Sequence, residues 1–242
     1  MSIATEIQRL QLAKEDIKSA IIEKGGTVED NATIDTYGNA IRGISGGENL
    51  LQYATSIKEI FQSAIFPNDY ELVLNLPNIS SGMQNALYNT KGIKKCVFVG
   101  NRNNISLDVS YLIRQSSIEV IDFTNFGQGG LKASVFSHAF RNCDKLIEIL
   151  GELDFSECTS MIAVFDYSPN LKEVRFKKNT IKLNLNLWSN SQLSNESIQS
   201  IIDGLADLTG ETTQTITFHA DVKAKLTEEQ IATITSKNWT LA

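Results

Sequence analysis

Histidine and cysteine are the side chains best suited to catalysis or metal binding. This chain of 242 residues contains only two histidines and three cysteines. The histidines, His138 and His219, are far apart, and neither belongs to an HExxH-type metal motif. The cysteines, Cys96, Cys143 and Cys158, are odd in number and form no CxxC pair. We therefore expect turn or surface histidines and reduced, buried thiols, with no disulfide framework and no zinc site.

Other arrangements that could support catalysis are incomplete. The glycine-rich stretch at 125–130 lacks the Lys-Ser/Thr of a phosphate-binding loop, so we interpret it as a turn, and no GxSxG nucleophile motif occurs. Carboxylates come close in sequence at Asp154 with Glu157 and at Asp203 with Asp207, on predicted turns and solvent-facing surfaces. Because no set combines a nucleophile, a base and an oxyanion donor, the sequence predicts no catalytic residue, no cofactor, no metal and no enzyme.

Composition and charge exclude several classes of protein. With 42% hydrophobic and 21% charged residues and a net charge of −6, the chain has the make-up of a soluble globular protein rather than a disordered one. Residues 1–48 and the remainder are both acidic, which disfavours nucleic-acid binding. No apolar run reaches the roughly 20 residues of a membrane helix, and the start does not resemble a signal peptide, so we expect neither membrane insertion nor export.

An N-terminal helical module is predicted over residues 1–47. Apolar residues recur at heptad spacing, interrupted by Lys14, and this seam needs a partner to cover it. A shorter helix is predicted over 33–44, with Thr33 as its cap, and a flexible boundary at 45–47. The two helices could form a hairpin, or copies of the first could associate into a multi-stranded coil. The seam residues are Ile3, Ile7, Leu10, Ile17 and Ile21.

An internal repeat is predicted between residues 48 and 192. Its anchor residues advance in steps of 25, 28 and 25, and apolar and polar residues alternate after each anchor, which predicts a short strand. Spacing by three before the anchor predicts a tight turn. One such unit cannot cover its own apolar face, so the units must stack. The anchors are Ile93, Ile118, Leu146 and Leu171.

A C-terminal capping unit is predicted over residues 193–242. Ser194 can cap an amphipathic helix over 194–208, and a strand is predicted over 213–218. Thr227 with Gln230 forms a capping box that opens a further helix. Asn238 suits a left-handed turn before a final segment whose Trp239 closes the core.

The segment AFRNCDKLIEI at 139–149 resembles the AFxxCxxLxxI signature of the BspA-type leucine-rich repeats, and SPNLKEV at 168–174 fits the later part of that signature. The Ile-Pro that follows the strand in this family is absent. The resemblance implies an α/β fold in which a leucine-rich-repeat solenoid carries a parallel sheet on its inner face, here with an N-terminal helical module and a C-terminal α/β cap. It also implies that the cysteine of the motif is structural.

Both ends of the chain carry a second resemblance. The start, IATEIQRLQLAKEDIKSAIIEKGGTV with ATIDTYGNAI, resembles N-terminal segments of tail-fibre and baseplate-associated proteins of phages and prophages of low-GC Gram-positive bacteria. The end, LADLTGETTQTITF with LTEEQIATITSKNWTLA, is similar to C-terminal ends of repeat proteins from such tail regions. These resemblances imply a tail-associated structural or binding protein, located in the virion tail, or in the host cytoplasm before assembly.

The leading hypothesis is a non-enzymatic tail or baseplate protein that presents a strand face to a protein or cell-surface glycan and to other tail proteins. The N-terminal helix could form a homo-oligomer. A BspA-like bacterial cell-surface adhesin is the alternative, and a tail-tip glycan hydrolase is a third hypothesis. The candidate partner-binding face consists of Lys94, Lys95, Glu119, Asp122, Lys172, Glu173 and Arg175, with Val97 beside them.

Overall fold

The computed structural model describes residues 3–23, 28, 29, 33, 69–79, 82–102 and 107–242. The chain divides into two units, Met1–Tyr53 and Ala54–Ala242. The predicted boundary between residues 47 and 48 lies outside the described residues. The predicted boundary between residues 192 and 193 stays a prediction.

The first unit contains helix α1 (Ile3–Glu23), as predicted from the heptad spacing. Of the described seam side chains, Ile21 is buried whereas Ile7 and Ile17 are exposed. The shorter helix predicted over 33–44 lies outside the described residues, apart from Thr33, which is exposed. Hairpin and multi-stranded coil therefore both stay open.

The larger sheet of the second unit contains six parallel strands in the described chain. Strands β1, β2, β3 and β5 pair in that order, β4 pairs with the same edge of β5 as β3, and β6 pairs with the other edge of β5. The strands are β1 (Tyr70–Ile79), β2 (Ile93–Arg102), β3 (Val120–Phe126), β4 (Gly130–Lys132), β5 (Glu148–Asp154) and β6 (Glu173–Phe176).

Strand pairing in the larger sheet joins residues at regular intervals along the chain. Lys95 of β2 lies opposite Val120 of β3, which in turn lies opposite Glu148 of β5. Glu148 lies opposite Glu173 of β6. These offsets equal the intervals between the anchors predicted from the sequence, and the anchors are buried at Ile93, Ile118, Leu146 and Leu171.

Tight turns, rather than helices, precede these strands. In one of them the amide of Ala139 donates to the carbonyl of Phe136 at 2.9 Å. Each turn also bonds to the next turn along the chain, as when the amide of Tyr111 donates to the carbonyl of Ser137 at 3.1 Å. Two sets of turn residues have left-handed backbones, namely Asn85, Tyr111, His138 and Ala163 in one set and Asn89, Gln115, Asn142 and Tyr167 in the other.

A second sheet of three parallel strands occupies the C-terminal part of the second unit, in the order β7-β8-β9. Its strands are β7 (Leu185–Leu187), β8 (Gln214–Phe218) and β9 (Trp239–Leu241). The helices here are α2 (Asn195–Gly204), α3 (Ala220–Lys223) and α4 (Glu228–Ser236).

Three local predictions for this region are confirmed. Ser194 is the N-cap of α2, and its hydroxyl accepts a hydrogen bond from the amide of Ser197. Thr227 and Gln230 form the capping box of α4. Asn238 has a left-handed backbone, with φ of 63°. Each of these features depends on residues close in sequence, which is why the sequence alone predicts them.

Phenylalanine side chains fill much of the core of the second unit. Phe98 and Phe123, from neighbouring strands, have ring centroids 4.9 Å apart, and Phe126 packs on both. Phe136 and Phe155 lie 4.2 Å apart and continue the aromatic packing. These buried rings give the larger sheet a well-packed apolar side.

The predicted leucine-rich-repeat solenoid is wrong. The chain forms a mostly parallel α/β fold with four helices in its described part, and its strands fall into two separate sheets rather than one. β3 and β4 pair with the first and last parts of the same edge of β5, and β6 pairs with its other edge. A run of identical stacked units would give one continuous sheet. The repeated pattern specified how neighbouring strands pair, but it did not specify where a sheet ends or where an extra strand such as β4 enters.

In the described part of the chain, no helix combines the length and apolar character required to cross a membrane.

Candidate functional site

The predicted partner-binding residues lie on or beside the strands of the larger sheet, and we call this set the charged strand face. Lys94 and Lys95 belong to β2, while Glu119 directly precedes β3 and Asp122 lies within it. Because β2 and β3 are neighbours, the structure brings these four residues together. The other three, Lys172, Glu173 and Arg175, lie on or beside β6, which β5 separates from β3.

Lys94 bridges two acidic side chains across the charged strand face. Its Nζ is 3.6 Å from Oδ1 of Asp69 and 3.8 Å from Oε2 of Glu119. All three side chains are substantially exposed. Such pairs contribute at most about 1 kcal/mol each to folding.

Lys95 bridges a second pair of acidic side chains, and we call the Lys94 and Lys95 bridges the two charged ladders. Its Nζ is 3.4 Å from Oε1 of Glu71 and 4.0 Å from Oδ2 of Asp122. Glu71 of β1 lies opposite Lys95, whereas Asp122 lies two residues beyond Val120, the residue of β3 opposite Lys95. The two ladders thus present alternating charge across three neighbouring strands.

Asp122 differs from the other members of the charged strand face because it is buried, with 8% of its surface exposed. Its Oδ1 accepts hydrogen bonds from the amide and the hydroxyl of Thr124, at 2.9 and 2.7 Å. The carboxylate therefore binds Thr124 within β3 and offers little surface to a partner. Val97, the neighbour named with the face, is half-buried and lies opposite Asp122.

Of the three predicted residues on or beside β6, one is held by contacts within the molecule and two are exposed. Glu173 accepts hydrogen bonds from the hydroxyls of Ser194 and Ser197, at 2.9 and 3.3 Å, and so anchors the start of α2. Lys172 and Arg175 are exposed and available for contact. Arg175 lies opposite Glu152 of β5.

Exposed apolar residues on this face were missed by sequence reasoning. Ile147 lies between Glu119 and Lys172, because its amide donates to the carbonyl of Glu119 and its carbonyl accepts from the amide of Lys172, both at 2.8 Å. Val73 of β1 is 58% exposed. The interval between strands could have identified Ile147, since it follows the anchor Leu146 as Glu119 follows Ile118.

The three thiols are poor candidates for nucleophiles. Burial raises the pKa of Cys96 well above its usual range. Burial also raises the pKa of Cys143 to about 12, despite hydrogen bonds that act in the opposite direction. Cys158 is half-buried, and burial raises its pKa too. Because the thiolate is the reactive form of cysteine, these groups are almost entirely unreactive thiols near neutral pH.

His219, predicted to have a turn or surface role, caps a helix. Its Nδ1 accepts a hydrogen bond from the amide of Asp221 at 3.2 Å, at the start of α3. His138 lies in a turn, as predicted, with φ of 59°.

The carboxylate pairs considered as candidate acids and bases do not act together. Asp154 pairs with Lys177 at 2.9 Å, whereas Glu157 pairs with Lys132 at 2.6 Å. Asp203 lies 3.5 Å from Lys178. Asp207 instead accepts two hydrogen bonds from Thr209. Within the described ranges, no three His, Cys, Asp or Glu side chains are grouped so that they could hold a metal ion.

Comparison of the chain with family models, curated proteins and solved structures finds no match. Inferences about function therefore depend on the geometry of the molecule and on the sequence resemblances.

Proposed function

We propose that this chain is a non-enzymatic protein of a phage or prophage tail or baseplate region, and that it binds a protein or cell-surface glycan through the charged strand face. Before assembly it would be in the host cytoplasm, and afterwards in the virion tail. The resemblances of the two ends of the chain to tail-region proteins support this setting.

The observation that carries the binding role is the pair of charged ladders across β1, β2 and β3. Lys94 and Lys95 each lie between two acidic residues, and Val73 adds exposed apolar surface nearby. A surface that alternates in charge over several strands can select a partner with the complementary pattern. The raised pKa values of Cys96 and Cys143 favour a binding role over a nucleophilic one.

The tail setting is tested by mass spectrometry of tail particles purified from the bacterium that encodes the chain, after induction. We expect the chain in the particles at a constant ratio to other tail proteins. An abundant chain in the lysate that is missing from the particles would contradict the setting.

The binding face is tested with the charge-reversed variant Lys94→Glu/Lys95→Glu and cells of the bacterium that the particles infect. We expect at least a tenfold loss of binding to whole cells, because both ladders lose their central cation. Lys182→Glu/Lys223→Glu is the matched control, since it changes two exposed lysines elsewhere by the same charge. Equal binding by both variants would show that the partner does not use this face.

A further inference from the structure

Aromatic and basic side chains stack in two neighbouring groups on the turns that precede the strands, and we call the two groups together the turn-face cluster. The guanidinium carbon of Arg114 lies 5.3 Å from the ring centre of Tyr111, whose ring centre lies 4.9 Å from that of His138. The cluster consists of Tyr111, Arg114, His138, Arg141, Tyr167 and Trp188.

The cluster continues from one turn to the next. The guanidinium carbon of Arg141 lies 5.5 Å from the ring centre of Tyr167, and the rings of Tyr167 and Trp188 meet edge to face at 5.2 Å. Tyr167 and Trp188 are 50% and 42% exposed, large values for aromatic side chains. The aromatic rings thus hold both arginines in place and also offer open surface to a ligand.

Neither arginine has an acidic partner within the described residues. The ion pairs identified in this part of the molecule are formed by lysines and His219 and involve neither Arg114 nor Arg141. The Nε atoms of Arg114 and Arg141 are buried without a hydrogen-bond partner. Guanidinium groups held only by stacking keep their donors for another group, and they suit carboxylate and phosphate oxygens best.

Unsatisfied polar atoms are concentrated at this cluster. Of the seven buried side-chain atoms that lack a hydrogen-bond partner in the described chain, five belong to the cluster or to residues beside it. Besides the two arginine Nε atoms they are Nδ1 of His138, Oδ1 of Asn142 and Oδ1 of Asp166. Native proteins leave few such groups unpaired, so a local concentration of them calls for an explanation.

We infer that the turn-face cluster binds an anionic glycan, a sugar chain that carries carboxylate or phosphate groups. Arg114 and Arg141 hold its oxyanions, and Tyr167 and Trp188 pack on the apolar faces of its sugar rings. Since the whole chain has a net charge of −6, two unpaired guanidinium groups are a local exception that suits a negatively charged ligand.

A glycan fits this surface better than an acidic peptide. Sugar rings can pack on the exposed rings of Tyr167 and Trp188 while their carboxylate or phosphate groups meet the guanidinium groups. Acidic peptide side chains offer carboxylates without such a ring face. The inference goes beyond the proposed function, because it concerns the turns and not the charged strand face.

The first test uses the intrinsic fluorescence of the full chain, whose two tryptophans differ in exposure. Trp239 is 3% exposed, so Trp188 is the one able to report a ligand. The probes are polygalacturonate for carboxylates, dextran phosphate for phosphates, and neutral dextran and polyglutamate as comparisons. We expect a saturable emission change with at least one of the first two that weakens as salt is added. No saturation with either, or equal binding of polyglutamate, would overturn the inference.

The second test compares variants of equal charge by the same titration. We expect Arg114→Gln/Arg141→Gln to bind the anionic polymer at least tenfold more weakly, and Lys182→Gln/Lys223→Gln, which removes two exposed charges elsewhere, to bind like wild type. Arg114→Lys/Arg141→Lys keeps the charge but loses the planar fork, so we expect an intermediate loss. Circular dichroism verifies that each variant is folded. If the arginine-to-glutamine and lysine-to-glutamine variants lose polymer binding equally, the attraction is non-specific and the assignment is overturned.

The third test separates this surface from the charged strand face. We expect Lys94→Glu/Lys95→Glu to bind the anionic polymer like wild type, whatever its effect on whole-cell binding. If this variant loses polymer binding while the arginine variant keeps it, the glycan binds the strand face and the turn-face assignment is wrong.

Discussion

Single side chains in this protein combine burial with charge, and Asp154 is the clearest example. It is buried at the end of β5, where its Oδ2 lies 2.9 Å from Nζ of Lys177 and its Oδ1 accepts from the amide of Ser156 at 2.9 Å. Burial alone would raise the pKa of this carboxyl, but the hydrogen bonds from Lys177 and Ser156 outweigh burial and lower it. The native state therefore favours the ionised form.

The pKa shift of Asp154 predicts a loss of stability in acid. Because the folded pKa lies below the unfolded value of about 4, the stabilisation is present above that value and is lost as pH falls through the folded pKa. We expect Asp154→Asn to lower the free energy of unfolding by about 1–2 kcal/mol at pH 7 and to weaken the fall of that free energy as pH drops below about 4. Urea denaturation at several pH values measures both effects.

The exposed Asp144 provides the control for this prediction. Asp144→Asn should leave stability at pH 7 nearly unchanged and retain the wild-type fall in acid. If Asp154→Asn shows the full wild-type pH dependence, the acid sensitivity originates elsewhere.

At the scale of elements, close backbone contact constrains where β5 can run. Gly151 lies within β5 with φ of +87°, and a Cβ added there would lie 2.9 Å from the carbonyl carbon of Phe123 in β3. Gly210, in a loop, has a similar φ of +83° and nothing within 4 Å of an added Cβ. At both glycines a residue with a side chain would be strained by the positive φ, but only at Gly151 would the added Cβ also be crowded.

Alanine substitutions at these two glycines separate the cost of a left-handed backbone from the cost of crowding. We expect Gly210→Ala to cost about 1 kcal/mol for its left-handed backbone alone. Gly151→Ala should cost about 1–3 kcal/mol more, because the β3 backbone must move to admit the methyl group. Chemical denaturation of both variants gives the difference. Equal costs would show that the sheet adjusts freely at β5.

The C-terminal end of α2 is held by a lysine from beyond α4. Nζ of Lys237 donates to the carbonyls of Ile202 and Leu205 at 3.0 and 2.8 Å. Burial lowers the pKa of this amine, although Asp203 and Asp207 act in the opposite direction. A cation at the last carbonyls of a helix satisfies unpaired acceptors and the helix dipole together.

Replacing this lysine tests the contact. We expect Lys237→Met to lower the free energy of unfolding by about 1–2 kcal/mol, because the carbonyls lose a charged donor while the aliphatic packing remains. Lys223→Met, at an exposed lysine of α3, should change stability by less than about 0.5 kcal/mol. A similar loss in both variants would mean that the contact contributes little.

At the scale of the whole molecule, α1 carries exposed apolar residues both on and off its heptad seam. Ile7 and Ile17 belong to the seam, whereas Leu12 and Ile22 do not, and all four are exposed. Seam residues that are exposed in one chain, as Ile7 and Ile17 are, are typical of a helix that associates with copies of itself. We therefore expect the full chain to form an oligomer through α1.

Light scattering of two matched variants tests this association. Ile7→Asp/Ile17→Asp should convert the oligomer to a monomer, because charges cannot enter a coiled-coil core without a large cost. Leu12→Asp/Ile22→Asp places the same charges off the seam and should remain oligomeric. A monomeric wild type, or disruption by both variants alike, would show that the seam does not assemble the protein.

Short-range features were predictable because their causes lie a few residues apart. The periodicity of α1, the Ser194 cap and the Thr227–Gln230 capping box depend on neighbouring residues. Strands β4 and β7 and the four-residue helix α3 were missed, since elements this short show no periodicity. The burial of Asp122 was missed because alternation along a strand does not reveal that Thr124 binds its carboxylate.

The sequence by itself determined which residues face the core, where several helices begin and how far apart paired strands lie along the chain. Only the tertiary structure decided that the strands divide into two sheets, that β3 and β4 share one edge of β5, and that Arg114 and Arg141 stack on aromatic rings of the turns. The physical reason is the distance along the chain over which the responsible interactions act. Caps and side-chain periodicity act within a turn or a strand, whereas sheet order and contacts between turns depend on how the whole chain packs.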